Sequence, residues 1–324
     1  MNYCIITTIN EPTKAVQKLY EHFGNNLIIV GDLKTPKDWD YNGISPINEP
    51  SKLYAPNNHY ARKNLGYLYA IKNGAKLIYD TDDDNIPNET FAIRDSRILS
   101  YNSFASDGWF NVYKFFNIEN LWPRGFPLKL IKKFSSYKEF IHSQVSSIQQ
   151  GVSDGEPDID AIARLVFNSD TTFKEDRSIY LENDTWCPFN SQSTWWFPKA
   201  FPLMYLPVTA SFRMTDIWRS FVAQRCLWEI GEGVTFHSPA EVYQKRNEHD
   251  LLKDFNDEIS GYLNNESIVR ILRSLELKKG VDYVSENLLT CYISLVDNGI
   301  LPQKEIESVN EWIKDYENIT RNMA

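Results

Sequence analysis

Two short apolar runs, Tyr3-Cys4-Ile5-Ile6 and Leu27-Ile28-Ile29-Val30, flank one helix-length segment near the start of the chain. Continuous apolar runs of this length, bounded by turn residues, are the pattern of strands buried on both faces. A first strand is expected over residues 4–9. A helix then opens at Glu11-Pro12-Thr13 and closes at Gly24, and a second strand covers residues 27–30. That order is a βαβ unit. It puts residues 31–36 at the carboxyl end of the second strand, where open α/β sheets bind ligands. The polar, proline-bearing stretch 37–58 is longer than ordinary loops and is a candidate binding loop. A helix over residues 60–73, ended by Gly74, leads into a third strand over residues 76–79.

That strand runs into Asp80-Thr81-Asp82-Asp83-Asp84-Asn85, four carboxylates within five residues. Extended backbone alternates its side chains, so Asp80, Asp82 and Asp84 share one face if the strand persists. Clustered carboxylates repel one another, and a hard divalent cation, Mg²⁺ or Mn²⁺, relieves the repulsion while accepting further oxygens from a diphosphate. A solvated acidic turn is the competing reading, since Asp-Asn-Ile-Pro is good turn chemistry.

Further on, residues 104–116 are rich in aromatics, and the prolines and glycine of 121–127 exclude regular helix there. Residues 151–161 read as an acidic loop. Residues 195–197 and 204–209 read as strands interrupted by prolines. Thr215 is the expected N-cap of a helix whose apolar face is Ile217, Trp218, Phe221, Val222, Cys226 and Leu227, ended by Gly231. Beyond residue 250 the pattern becomes amphipathic and charge-rich, predicting two to four helices. The chain is therefore divided into an α/β catalytic domain, residues 1–250, and a helical extension, residues 251–324. The extension would pack on that domain or on a second copy of the chain, and is expected to stay outside the diphosphate site.

With 324 residues, 42% of them hydrophobic, a large core is available, and a net charge of −9 argues against general nucleic-acid binding. The four cysteines lie far apart without CxxC spacing, which suits a reducing compartment. No apolar run reaches spanning length, and the N-terminus enters a strand directly, so a cytoplasmic protein is expected, with peripheral contact to a membrane left open. A glycine-rich phosphate loop is absent, which argues against P-loop and NAD chemistry.

Four stretches in this order, Asp82-Asp83-Asp84-Asn85, Arg124-Gly125-Phe126-Pro127, Pro157-Asp158-Ile159-Asp160-Ala161 and Asp216-Ile217-Trp218, resemble the reversibly glycosylated polypeptides, which include the UDP-arabinopyranose mutases. With residues 79–85 and Gln244-Lys245-Arg246-Asn247 added, the chain is more similar still to the STELLO-like glycosyltransferases. The likeness covers roughly residues 1–250, and the helical extension stands outside it. It implies a GT-A type nucleotide-diphospho-sugar fold, a mostly parallel sheet flanked by helices. By the match, Asp82 lies towards the ribose, Asp83 nearby, and Asp84 holds Mn²⁺ or Mg²⁺, with Asp80-Thr81-Asp82 as a rival pair.

Such sites usually take another metal ligand late in the domain, and His237 and His249 are the candidates, His237 preferred; a quiet structural histidine is the alternative. Lys245 and Arg246 would neutralise a diphosphate, as would Arg62 and Lys63 at the start of the helix before the acidic strand. Asp32 could accept a hydrogen bond from a uracil ring. Arg124 matches the arginine glycosylated in the mutases and is expected to contact diphosphate or sugar. Asp216, in the first turn of its helix, sits against the positive end of the macrodipole, a position that suits a carboxylate, and is the candidate general base, with a plain helix-start carboxylate as the alternative. Expected is a metal-dependent transferase moving sugar from a nucleotide diphosphate, with UDP as the expected nucleotide, to a hydroxyl of a surface-glycan or lipid-linked acceptor. A nucleotide-sugar mutase and a non-catalytic sugar-nucleotide-binding scaffold are the alternatives.

Overall fold

The computed structural model describes residues 1–106, 108–116, 118, 120–133, 138–167, 170–245 and 250–323. In chain order the strands are β1 (Asn2–Thr7), β2 (Leu27–Val30), β3 (Leu77–Thr81), β4 (Asn85–Pro87), β5 (Arg97–Ala105), β6 (Gly108–Trp109), β7 (Lys138–Val145), β8 (Ile148–Gly155), β9 (Arg177–Leu181), β10 (Thr185–Trp186), β11 (Ser193–Trp196) and β12 (Val234–Gln244). The helices are α1 (Lys14–Phe23), α2 (Lys63–Lys72), α3 (Val112–Phe115), α4 (Ala161–Val166), α5 (Thr215–Trp228), α6 (Leu251–Arg273), α7 (Val284–Asp297) and α8 (Lys304–Arg321). Ten strands form one sheet in the order β2-β1-β3-β11-β8-β12-β9-β5-β7, with β4 paired to β12.

The fold is thus α/β, a large central sheet flanked by helices, as expected of a GT-A-like chain. The sheet is mixed and not mostly parallel as expected: β2-β1-β3, β8-β12 and β9-β5 pair in parallel, whereas β11 runs antiparallel to β3 and β8, β12 to β9 and β4, and β5 to β7. Period-two alternation divides the core. From β1, Cys4 and Ile6 meet Val16, Leu19 and Phe23 of α1 on one face. Tyr3 and Ile5 join the larger cluster on the other, with residues of α2, α5, α7 and α8. Thr13 caps α1 by accepting the Val16 N–H at 3.2 Å.

Several expectations are corrected. Of the 151–161 stretch, residues 151–155 are not loop but the end of β8, between β11 and β12. Its polar side chains are consumed by the sheet: Gln150 donates to the Ser193 carbonyl at 3.1 Å and accepts from Asn190 N–H at 2.9 Å. A side chain at Gly151 would place its Cβ 2.8 Å from Ser193 Oγ. Residues 198–204 form a 3₁₀ helix, and 204–209 are not a strand. Thr215 is already helical; Met214 holds the cap position, and Thr215 Oγ1 donates to the Ser211 carbonyl at 3.1 Å.

Helix α5 has no solvent side. Every residue from Thr215 to Leu227 is buried, because the sheet covers one face while α6 and α7 cover another. The C-terminal helices are tied in by buried acids. Glu305 of α8 accepts from Tyr205 OH at 2.5 Å and Thr209 N–H at 2.9 Å, and Glu258 of α6 accepts from Ala161 N–H at 2.7 Å. Among the described residues no helix is long and apolar enough to cross a membrane. The four cysteines are buried and unbridged.

Candidate functional site

A cavity of about 550 Å³ opens at the carboxyl ends of β1, β2 and β3. It gathers Thr8 and Asn10 after β1, Asp32 and Lys34 after β2, Asn58, His59 and Tyr60 from the end of the long loop, and Asp82, Asp83 and Asp84 after β3. Arg124, Asp158, Arg213 and Asp216 line it further round, and Gln244 and Lys253 are also at its wall. Of the residues singled out from sequence, Asp32, Asp82, Asp83, Asp84, Arg124 and Asp216 are brought together here.

The acidic run splits where the strand ends. Asp80 continues the parity of Ile78 and points into the helices, fully buried, with Lys63 Nζ at 2.9 Å and Arg219 Nη2 at 3.0 Å. Asp82 keeps that parity for one more step and accepts from Tyr60 OH and Lys63 Nζ, both at 2.7 Å. Burial raises the Asp82 carboxyl from its ordinary value, and Lys63 pulls it back. The chain then turns. Asp83 accepts from Thr8 Oγ1 and, at 2.9 Å, from Asn10, while Asp84 accepts from Asn85 at 3.0 Å and from Gln244 at 3.0 Å. Asp84 therefore does not share a strand face with Asp80. Asp80 is withdrawn into a structural ion cluster, which leaves Asp82 and Asp84 to the cavity.

Neither cation at the start of α2 faces a ligand. Lys63 is enclosed: burial acts against its ammonium, yet Asp80 and Asp82 outweigh that and hold its pKa above the ordinary value. Arg62 donates to the carbonyls of Gly31, Glu49 and Ala55, so it shapes the long loop instead of meeting a diphosphate. His237 lies outside the cavity lining. Its Nε2 donates to Gln149 Oε1 at 2.9 Å and its Nδ1 accepts from Ser178 Oγ at 2.6 Å, so both ring nitrogens are occupied. Burial, with Arg94 nearby, lowers its pKa well below the ordinary value, leaving a neutral structural histidine. Lys245 is exposed and not part of the lining, and Arg246 and His249 lie outside the described residues.

Arg124 and Asp216 form one locked unit. Arg124 gives Nε and Nη2 to Asp158 at 2.8 and 2.7 Å, Nη1 and Nη2 to Asp216 at 3.0 and 2.9 Å, and Nη1 again to the Arg213 carbonyl. All five guanidinium N–H groups are used, so none remains for diphosphate or sugar. Asp216 also accepts from Ile217 N–H at 3.0 Å and Ser191 N–H at 3.3 Å. Its four acceptor positions are filled, which removes the lone pair a general base needs. Burial opposes the Arg124 charge, but Asp158 and Asp216 raise its pKa well above the ordinary value. Helix α6 buttresses this unit: Glu258 pairs with Arg213 at 3.0 Å, and Asn265 donates to the Gly125 carbonyl at 2.8 Å.

The helical segment also reaches the cavity itself. Lys253, in the first turn of α6, is a lining residue, against the expectation that this segment stays away from the diphosphate site. Among the described residues it makes no ion pair, and neither does Lys34. His59, Tyr60, Gln244 and Lys253 were not singled out in this role from sequence. His59 and Tyr60 sit where the long loop meets α2, with His59 capping the 3₁₀ turn that leads into it.

Among the described residues the lining carries six carboxylates against four cations, two of which are the engaged Arg124 and Arg213. A divalent cation fits such a place: Asp82 and Asp84 offer hard oxygens, and Mg²⁺ typically takes one or two carboxylates with the substrate's phosphates. No group of three or more His, Cys, Asp or Glu side chains able to hold a metal by themselves occurs among the described residues.

Residues 213–323 match the family model of the STELLO glycosyltransferases. Two proteins of Arabidopsis thaliana, named probable glycosyltransferase STELLO2 and probable glycosyltransferase STELLO1, are each 26% identical to this chain across 97% of its length. The chain spans less than half of those relatives, 44% of each. The family match covers α6, α7 and α8, so the helical segment does not stand outside the resemblance. Along nearly its whole length, C-terminal helices included, this chain is similar to the STELLO glycosyltransferases.

Proposed function

We propose that the chain is a glycosyltransferase that binds a nucleotide-diphospho-sugar, with UDP as the expected nucleotide, in the cavity at the ends of β1, β2 and β3 with the help of a divalent cation. The single observation that carries the reading is the charge of that cavity. A diphosphate entering the cavity meets six lining carboxylates; Lys63 is shared between Asp80 and Asp82, Arg124 and Arg213 are already paired with acids, and among the described residues Lys34 and Lys253 are the lining cations left to offset the repulsion. A cation held by the acidic turn turns that repulsion into attraction, and when bound it would stabilise the leaving diphosphate.

Asp32, at the end of β2, remains the candidate for the nucleobase. Lys253 is assigned to the phosphates, and Asp216 to holding Arg124 in place. The acceptor is proposed to be a glycan hydroxyl.

The mutase reading is weakened by Arg124, whose counterpart in those enzymes is glycosylated, because here its N–H groups are all committed. The test is incubation with UDP-sugars and Mn²⁺, with and without glycan acceptor extracts. Acceptor-dependent UDP release supports the transferase. Ring interconversion without acceptor would make the chain a mutase, and binding without either reaction would make it a scaffold.

A further inference from the structure

Beside the acidic turn stands a buried amide with one end unsatisfied. Gln244, the last residue of β12, is 5% exposed and lines the cavity, and it lies directly across from Asn85 in the β12–β4 ladder. Its Nε2 donates to Asp84 Oδ2 at 3.0 Å, whereas its Oε1 has no hydrogen-bond partner among the described residues. Asn85, fully buried, repeats the arrangement: Nδ2 donates to Asp84 Oδ1 at 3.0 Å, and Oδ1 has no partner. Leaving a buried polar atom unpaired costs about 1–3 kcal/mol, so two such oxygens around one carboxylate need a reason.

The two ends of a side-chain amide have the same shape, and a half-turn of the terminal torsion exchanges oxygen for nitrogen in place. In that orientation Gln244 Oε1 stands where Nε2 stands, about 3.0 Å from Asp84 Oδ2. Without a cation two oxygens so placed repel. Two oxygens sharing an edge of an octahedral cation at about 2.0–2.1 Å are themselves about 2.8–3.0 Å apart. Carbonyl oxygen of Asn or Gln is also an accepted hard-cation donor.

We infer that Gln244 is a metal ligand, its amide oxygen completing with Asp84 the protein's share of a divalent-cation site, in the role that the sequence pointed to for His237. The inference rests on the metal-dependent reading above. Asn85 fixes Asp84 from the other side. The amide serves the carboxylate as hydrogen-bond donor when the metal is away and the metal as ligand when it is present, an exchange open only to a side chain carrying both functions.

The test is Mn²⁺ affinity in the presence of UDP, read from the electron paramagnetic resonance signal of free Mn²⁺ for the unaltered chain, Asp84→Asn, Gln244→Leu and Gln244→Glu. Gln244→Leu, similar in size but without oxygen, is expected to weaken Mn²⁺ about tenfold or more. Gln244→Glu, which supplies a charged oxygen at the same place, is expected to bind Mn²⁺ at least as tightly as the unaltered chain and to gain more thermal stability from it. Should Asp84→Asn lose Mn²⁺ while both Gln244 variants keep the unaltered affinity and Mn²⁺-induced stabilisation, Gln244 is not a ligand and the acidic turn still is. If Asp84→Asn binds as tightly as the unaltered chain, or the unaltered chain binds no Mn²⁺ with UDP, the metal-dependent reading itself is overturned.

Discussion

Replacing Asp80 by asparagine separates structure from chemistry within the acidic run. Asp80 stands between two enclosed cations: its side chain and that of Lys63 are 0% exposed, and that of Arg219 is 1% exposed. With its charge gone, Lys63 keeps Asp82 at 2.7 Å. Arg219 is left with neutral partners, Ser191 Oγ at 2.7 Å and the Tyr67 hydroxyl at 3.3 Å, and with the Trp196 ring 4.9 Å away. Breaking a buried pair so that one charge is stranded costs about 3–5 kcal/mol. At about 2.1 cal/mol/K of unfolding entropy per residue, a chain of this length loses roughly 4–7 °C in midpoint for that penalty. Differential scanning calorimetry of Asp80→Asn should show that fall, while titration with UDP and Mn²⁺ gives an affinity within about twofold of the unaltered chain. A midpoint unchanged within 1 °C, or a variant of normal stability that no longer binds metal, would refute the assignment of Asp80 to the core.

Lys253→Ala should weaken UDP binding in the presence of Mn²⁺ by about tenfold with little change in melting temperature, because the side chain is exposed and unpaired among the described residues; calorimetric affinity equal to that of the unaltered chain would remove α6 from the donor site. Arg124→Lys and Asp216→Asn should each lower stability, and the double variant should fall short of their sum by at least about 1 kcal/mol, since both break the same unit; additive losses in urea unfolding would contradict it. Asp160, which caps α4 through Ala163 N–H at 2.8 Å, is pushed up to about 6 by burial. Folding thus favours its protonated form relative to the unfolded chain. That stabilisation is complete below the unfolded value near 4 and disappears as pH rises through about 6, so the stability of Asp160→Asn relative to the unaltered chain should increase by up to about 2–3 kcal/mol from pH 4 to pH 7. A difference independent of pH would mean that Asp160 ionises freely.

The N-terminal half was the more legible part of the fold. Continuous apolar runs at β1, β2 and β3, with Thr13 and Gly24 punctuating α1, have one simple solution, and the chain adopts it. Strand β8 escaped notice because periodicity registers apolar burial, and this strand is buried through the side-chain hydrogen bonds of Gln149 and Gln150, positions that look solvated in the sequence. Helix α5 was legible only in part. The apolar face read from its sequence is only part of its buried surface, since Arg219, Gln224 and Arg225 are buried against partners far away in sequence, Asp80 and the carbonyl of Leu272 among them.

The candidate site divides along the same physical line. Sequence reveals which groups carry charge, and Asp32, Asp82, Asp83 and Asp84 reach the cavity because strand ends put them there. It does not reveal which charges are already spent. Arg62 and Lys63 sit at the right place in the chain, yet one serves three loop carbonyls and the other two carboxylates. Arg124 and Asp216 do line the cavity, but five donors and four acceptors are matched within the protein, so their contribution to a ligand is a rigid wall and not a contact. The groups left with capacity are less conspicuous in a sequence: an amide oxygen at the end of β12 and a lysine on a helix 23 residues long that reads as an appendage. In a cavity this rich in carboxylate, unspent capacity is what a ligand can use, and Gln244, Lys253 and Lys34 hold it because Arg124, Arg213 and Asp216 had partners within the protein to meet first.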